Sequence, residues 1–200
     1  MNLKLAMGAI VASVCLAAPA MATTIVNGDF EADGVTTFPS GWTTNGAPWL
    51  IGSHQGVVGT AADVEHGSFA LQISNDTGQA LPTLSQTLST TVGVQYTITF
   101  WAMAPNSDSN SFLDVFVDGV GDTITGTLPY TEETFSFLGT GSDTLSISAL
   151  NTPSFYYVDN FNISSSVTAT PLPAALPLFA GGLGMIGWIG SKKRRKIQTA

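Results

Sequence analysis

Between residues 5 and 191 the chain has neither lysine nor arginine. Its six basic residues are Lys4 and the cluster Lys192, Lys193, Arg194, Arg195 and Lys196, whereas all 14 acidic residues fall between these two outposts. The whole-chain net charge of −8 therefore conceals a central stretch near −14. Nothing in that stretch neutralises phosphate, which argues against nucleic acid and against anionic membrane as partners of the domain. The missing lysine also excludes internal Lys–Asn isopeptide crosslinks. Cysteine is nearly absent: Cys15 lies in the first apolar run, so nothing beyond it can form a disulfide, a thiol nucleophile or a Cys-type zinc site. His54 and His66 are the only imidazoles, and no Gly-x-Ser-x-Gly elbow occurs. Glu132 and Glu133 are adjacent, so on a strand they point to opposite faces and do not flank one glycosidic bond. This supply of side chains suits contact without turnover, and the expectation is that the protein is not an enzyme.

What the chain does have is two marked ends. Met1 to Ala22 carries one lysine, an apolar centre from Leu5 to Ala18 and Ala20-Met21-Ala22 as a small-x-small cleavage site, the layout of a secretory signal peptide. Val14 before Cys15 fits a lipoprotein signal poorly, and the expected cut is before Thr23. At the other end Thr170-Pro171-Leu172-Pro173-Ala174 precedes an uncharged apolar run from Ala175 to Gly190 and then the basic cluster. Positive charge is held on the cytoplasmic side, so the run reads as a stop-transfer span of about the 17 residues at the short limit of a bilayer crossing, with Trp188 at its inner interface. The organisation expected is 1–22 signal peptide, 23–165 domain, 166–171 linker, 172–190 transmembrane or sorting helix, and 191–200 basic cytoplasmic tail.

An ordinary anchor explains the apolar run and the charges but not Pro171, Leu172, Pro173 and Ala174. These residues, with Ala175-Leu176-Pro177-Leu178-Phe179, Gly181-Gly182-Leu183-Gly184 and the basic end, resemble the PEP-CTERM class of sorting signals and most closely its VPLPA-CTERM variant; Thr170 stands where that class most often has valine. The resemblance implies an exosortase, a transpeptidase-like membrane enzyme, as partner and removal of the tail. The protein would then be exported through the inner membrane, anchored transiently by its helix, and left at the cell surface or in the extracellular matrix.

Residues 23–169 are enough for one domain with a core. Runs rich in Thr, Val, Ile and aromatics recur between Gly, Asn, Asp and Pro punctuation: Thr24–Val26, Ser68–Ser74, Leu84–Leu88, Gln95–Ala102, Phe112–Val117, Thr134–Leu138, Thr144–Ala149 and Phe155–Ile163. Helical periodicity is missing, and eight or nine short strands predict an all-β, two-sheet antiparallel sandwich. In Tyr96-Thr97-Ile98-Thr99-Phe100 apolar residues alternate with threonine, as on a strand with one buried face; Trp101 follows on the open face or at the strand end.

In order along the chain, Asn27-Gly28-Asp29-Phe30-Glu31, Pro39-Ser40-Gly41-Trp42, His66-Gly67-Ser68-Phe69-Ala70-Leu71-Gln72, Ser85-Gln86, Gly93 to Ala102 and Tyr157-Val158-Asp159-Asn160-Phe161-Asn162-Ile163 resemble the galactose-binding-like jelly rolls, which include carbohydrate-binding modules. The resemblance implies a structural calcium ion held by Glu31 and Asp159, with Asp29 as a third carboxylate. The other reading is that Asn27-Gly28-Asp29 forms a turn and Asp159 caps a strand edge. The acidic stretch Asn106, Asp108, Asn110, Asp114, Asp118 and Asp122 lacks the glycine and terminal glutamate of a helix-flanked calcium loop and reads as a solvated hairpin. Sugar binding needs exposed rings beside amides and carboxylates, and the candidate platforms are Trp49, Trp101 and Tyr156, with Tyr130 behind them. Trp42, after Gly41, reads as core, and His66 as structural.

Three functions follow in order: a non-catalytic structural or adhesive surface protein, a glycan-binding module taking exopolysaccharide or another glycan, and a secreted glycan-active enzyme. The two terminal signals predict that protein recovered from its native host lacks Met1 to Ala22 and everything beyond about Ala174. Intact-mass measurement decides this, and a mature form that keeps Lys192 to Lys196 would reduce the tail to a plain anchor.

Overall fold

The computed structural model describes residues 23–35, 37–45, 55–75 and 78–166. The leader, Trp49 and His54, the motif Pro171 to Ala174 and the basic cluster lie outside the described residues.

Ten strands form among them: β1 (Thr43–Thr44), β2 (Gln55–Val58), β3 (Ala70–Ile73), β4 (Thr83–Ser89), β5 (Gln95–Ala104), β6 (Phe112–Val117), β7 (Val120–Thr125), β8 (Leu128–Leu138), β9 (Ser142–Leu150) and β10 (Tyr156–Ser165). They pair antiparallel into two five-stranded sheets, ordered β1-β4-β9-β6-β7 and β2-β3-β10-β5-β8. The expected all-β sandwich is therefore the observed one. Alternation builds it: every second residue of β5, from Tyr96 through Ile98, Phe100 and Ala102 to Ala104, is buried, and Leu113, Val115 and Val117 of β6 face Leu145, Ile147 and Ala149 of β9 from the neighbouring strand. Full burial of each large apolar side chain contributes about 1.5–3 kcal/mol.

β10 departs from simple alternation. Tyr156 and Val158 face inward, but the pairing with β5 shifts between Asp159 and Asn162, and Asn160 takes a left-handed φ of 52°. This bulge changes the parity of the strand, so Phe161 and Ile163 turn inward in their turn. Phe161 then stacks on Phe100 with ring centroids 4.9 Å apart, and Trp42 and Phe30 close around it. Trp42 is core, as expected, and its Nε1 donates to the Asn27 carbonyl.

Three readings change. Thr24–Val26 is not a strand; it runs beside β4 beyond the reach of the two-residue β1, and the buried Gln86 amide substitutes for a ladder by accepting from Val26 N–H and donating to the Val26 and Gly41 carbonyls. β8 starts six residues before the expected Thr134, because its polar outer positions hide a strand that Tyr130 and Leu128 support. β1, β2 and β7 were missed, being short or lacking an apolar alternation.

The antiparallel order gives the sandwich two distinct ends. One carries the turns 89–95, 117–120 and 138–142 and also the first and last described residues: the Thr23 hydroxyl donates to the Ser89 carbonyl, and Ser166 N–H donates to the Gln95 carbonyl. It is called the exit end below. The other carries the connections 74–82, 105–111, 126–127 and 151–155, and the residues flanking segment 46–54, Asn45 and Gln55, are tied there to Thr83 and Ser74.

Asp143 organises the exit end. Its carboxylate, almost wholly buried, accepts from Thr140 N–H and Oγ1 and from the Thr90 hydroxyl. Burial pushes its pKa up, but the hydrogen bonds from Thr90 and Thr140 outweigh that, and the net position is below the usual carboxylate range. A carboxylate whose pKa is lowered by folding stabilises the fold above its unfolded value near 4 and loses that contribution as pH falls through the folded value. Asp143→Asn is therefore expected to cost about 1–3 kcal/mol at pH 7 and to flatten the loss of stability on acidification. Urea melts of both proteins at pH 7 and pH 3 check it, and parallel pH profiles would refute the assignment.

Candidate functional site

The outer face of the β2-β3-β10-β5-β8 sheet gathers most of the residues singled out from the sequence. Trp101 of β5 points outward, partly exposed, and lies between Asp159 of β10 and Glu132 of β8 in the register. Directly opposed side chains on one face of a sheet are about 5 Å apart. The next outward row toward the exit end is Asn162, Thr99 and Thr134, and the one after it Ser164, Thr97 and Ser136, where the two hydroxyls of Thr97 and Ser136 are 2.9 Å apart. A ring followed by rows of hydroxyls and an amide is the surface this pairing produces.

The loop from Gly59 to Phe69 closes the other end of that strip. Asp159 Oδ2 accepts the N–H groups of Glu65 and His66, at 3.2 and 2.9 Å, and Oδ1 accepts Asn160 N–H at 2.7 Å. Glu31 Oε1 accepts Ser68 and Phe69 N–H at 2.7 and 2.8 Å. Gly67, at φ 75°, makes the turn between these two pairs of amides, and a Cβ there would collide with the Glu31 carboxylate. Two carboxylates from the first loop and the last strand thus hold one loop by its backbone. Its His66 ring rests against Trp101 with centroids 5.9 Å apart, tilted by 52°, and Tyr130 Oη donates to the Asp63 carbonyl. His66 is structural through its N–H, as expected, and its half-exposed ring also lines the strip beside Trp101.

Electrostatics follow the burial. Desolvation pushes Asp159 up to about 6, against the lowering effect of the His66 and Asn160 amides, with Glu31 adding to the rise. Burial, with the nearby Asp63 charge, raises Tyr157 to about 12; burial, then Asp159 and Asp63, raises Tyr130 further. Both phenols stay neutral hydrogen-bonding groups under any physiological condition.

Tyr156 does not belong to this surface. It is completely buried between the sheets, its hydroxyl 3.4 Å from the Ile124 carbonyl, because the first residues of β10 face inward. The proposed platform role is corrected accordingly. The neighbour on the outer side of the sheet is Tyr157, itself buried at 7% exposure; sequence reasoning passed it over because the bulge that sets the parity of β10 leaves only a weak mark, Asp-Asn before Phe161. Trp49 lies outside the described residues.

The residues assigned to calcium are split. Glu31 and Asp159 do join the first loop to the last strand, but through amide N–H groups, which occupy lone pairs a cation would take. Asp29, exposed, only accepts a 3.4 Å contact from Glu31 N–H. Among the described residues no group of three or more His, Cys, Asp or Glu side chains is placed to hold a metal ion. Glu65 Oε2, a buried carboxylate oxygen, lies against His66 Nδ1 and pairs with that ring when it is protonated. A further groove of about 450 Å³ runs along β4 under Thr23, Thr24, Val26, Gly41, Gln86, Thr87 and Ser89, away from Trp101 and lined by no charged group.

No protein-family model matches the chain, and no curated protein matches it. Solved structures do. The chain is similar to TmCBM61, solved in complex with β-1,4-galactotriose, at 20% identity and a TM-score of 0.51, over 72% of this chain and 99% of that one. It is also similar to the CBM22-1 xylan-binding domain of Xyn10C from Paenibacillus barcinonensis (19% identity, TM-score 0.46, 74% and 95% covered). A third is the K3 cleaved adhesin domain of Lys-gingipain from Porphyromonas gingivalis (17%, 0.44, 71% and 98%). At 20% identity the likeness to the first structure speaks for the fold alone: the described residues form a two-sheet jelly roll similar to that structure.

Proposed function

We propose that this protein is an exported, non-catalytic surface module whose β-sandwich binds a neutral or basic glycan along the outer face of β10, β5 and β8. The observation that carries the reading is the strip itself: the partly exposed Trp101 ring, between Asp159 and Glu132, stands at one end of two further rows of acceptors and donors, closed on one side by the 59–69 loop. A pyranose presents an apolar C–H face to a ring and hydroxyls to amides and carboxylates, and the strip offers both in sequence. Carboxylates without a basic residue disfavour acidic polysaccharides. Export and sorting by an exosortase rest on the terminal signals, and delivery to the cell surface or matrix would put the strip where glycans are. A purely structural role in that matrix is the other reading; a flat response on a glycan array would favour it.

The test is a glycan array with the purified domain 23–169, followed by titration of any positive. Trp101→Ala should weaken binding about tenfold, as expected for one stacking ring worth about 1 kcal/mol or more, whereas Tyr156→Phe should leave it unchanged. Binding that survives Trp101→Ala undiminished would move the site off this face. Release of reducing ends by the domain, abolished by a single carboxylate change, would make it an enzyme.

Calcium on Glu31 and Asp159, which the resemblance to the jelly rolls implies, is a second, separate proposal. The amide clasp predicts that Glu31→Gln costs about 1–3 kcal/mol equally with calcium and with chelator, since a charged acceptor of two N–H groups is lost in either case. A melting temperature that rises by several degrees with calcium in the wild type but not in Glu31→Gln would establish the ion instead.

A further inference from the structure

We propose that the exit end of the sandwich, tipped by Val92, Leu138 and Val120, is the face that rests on the lipid surface from which the protein is processed. The inference rests on the reading of the C-terminal segment as membrane-entering, and extends it to how the folded domain is held.

Three of the large apolar side chains that stand exposed lie on this one end: Val92 at 73%, Leu138 at 62% and Val120 at 49%. They are not on floppy tips. Thr90 N–H donates to the Gly141 carbonyl, Gly93 N–H to the Gly139 carbonyl and Gly139 N–H to the Val94 carbonyl, so the 89–95 and 138–142 turns form one hydrogen-bonded platform, with Asp143 fastened beneath it. A Cβ at Gly139 would run into the Thr91 carbonyl and the Tyr96 ring, so the platform requires glycine there. Asp118 N–H donates to the Thr144 carbonyl and its carboxylate accepts Thr144 N–H, which joins the turn bearing Val120 to the same strand end.

The chain leaves from this platform. Ser166 N–H is bonded to the Gln95 carbonyl at 2.9 Å, and Ala175, where the apolar run begins, is only the ninth residue after Ser166. Fully extended, nine residues span about 30 Å. The domain therefore cannot stand far from the bilayer that its tail enters, and the end that is tethered is the apolar one.

Charge sets the same orientation. The domain as a whole is strongly acidic, and an anionic leaflet repels it within a Debye length of about 8–10 Å. Within the exit-end turns the only exposed carboxylate is Asp118; Asp143 is buried, and the remaining described carboxylates lie on the sheet faces, in the first loop, in the 59–69 loop and at the opposite end. Setting the exit end down places the least acid near the lipid. The Trp101 strip then runs upward along the side of the domain, clear of the bilayer.

The full chain after leader removal contains no cysteine, so single labels can be placed cleanly. Val92→Cys, Leu138→Cys and, at the opposite end, Asn110→Cys would carry an environment-sensitive fluorophore in vesicles of phosphatidylethanolamine and phosphatidylglycerol with brominated acyl chains. Apolar anchors reach the headgroup and acyl boundary, so labels at 92 and 138 should blue-shift and be quenched about twofold while the label at 110 is unaffected. Equal response at both ends in protein that floats with the vesicles overturns the orientation and leaves the tail reading standing. Protein that does not float overturns the tail reading, and the orientation with it. Rapid disulfide pairing between unlabelled Val92→Cys chains, without lipid quenching, would show that a second copy covers this end. Val92→Ser with Leu138→Ser, read from a label at Val120→Cys, should lose the quenching at an unchanged melting temperature, which separates lipid contact from folding.

Discussion

A single extra residue in β10 sets most of this molecule. Because the strand is central, flanked by β3 and β5, a shift between Asp159 and Asn162 acts on both faces at once. Before the bulge the inward positions are Tyr156 and Val158; after it they are Phe161 and Ile163. Phe161 thereby reaches Phe100, Phe30 and Trp42, the aromatic group that closes the side of the sandwich, and its N–H donates to the Gly28 carbonyl of the first loop. On the opposite face Asp159 is left under the 59–69 loop. The left-handed Asn160 is the local cost of the arrangement, and asparagine is among the residues that bear it best.

The clasp that results is economical in chemistry. Buried carboxylates are costly when unpaired, and this domain has no lysine or arginine with which to pair them. Backbone N–H groups do that work: the amides of residues 65, 66, 68 and 69 solvate Glu31 and Asp159, and Asp143 is satisfied by threonine amide and hydroxyl donors in the same manner. Loop position, ring position and carboxylate position are thereby coupled. His66 lies against Trp101 because Asp159 holds its N–H, and the strip on β10, β5 and β8 is bounded because Glu31 holds the next turn.

The sandwich is polar from end to end. Hydroxyls, glycines and valines dominate the turns at the end that holds Thr23 and Ser166, whereas acid is concentrated elsewhere. Under the proposed reading of the two terminal segments, that asymmetry would give the domain an up and a down and leave the sheet faces free for contact.

Much of this was legible in residue order. The exclusive placement of acid within the domain, the absence of cysteine and base, and the alternation in β4, β5, β6 and β9 follow from composition and period-two patterning, which is local physics. Trp42 was read as core, and of the stretch Asn106 to Asp122 read as a solvated hairpin only Asp114, Asp118 and Asp122 lie on the β6–β7 hairpin. Tyr156 was misjudged, since which of two adjacent tyrosines faces inward depends on a bulge several residues later and on the pairing partner across the sheet. Likewise Glu31 and Asp159 could be named as a pair from their positions in the chain, but what satisfies their oxygens was decided by the approach of a loop more than thirty residues from either of them. The amino-acid sequence by itself determined the alternating strands β4, β5, β6 and β9, their buried faces and the chemistry on offer; the tertiary structure alone decided the short strands, the inward face of β10 and which acceptors meet which donors, because these depend on register between strands distant along the chain and not on the period within any one of them.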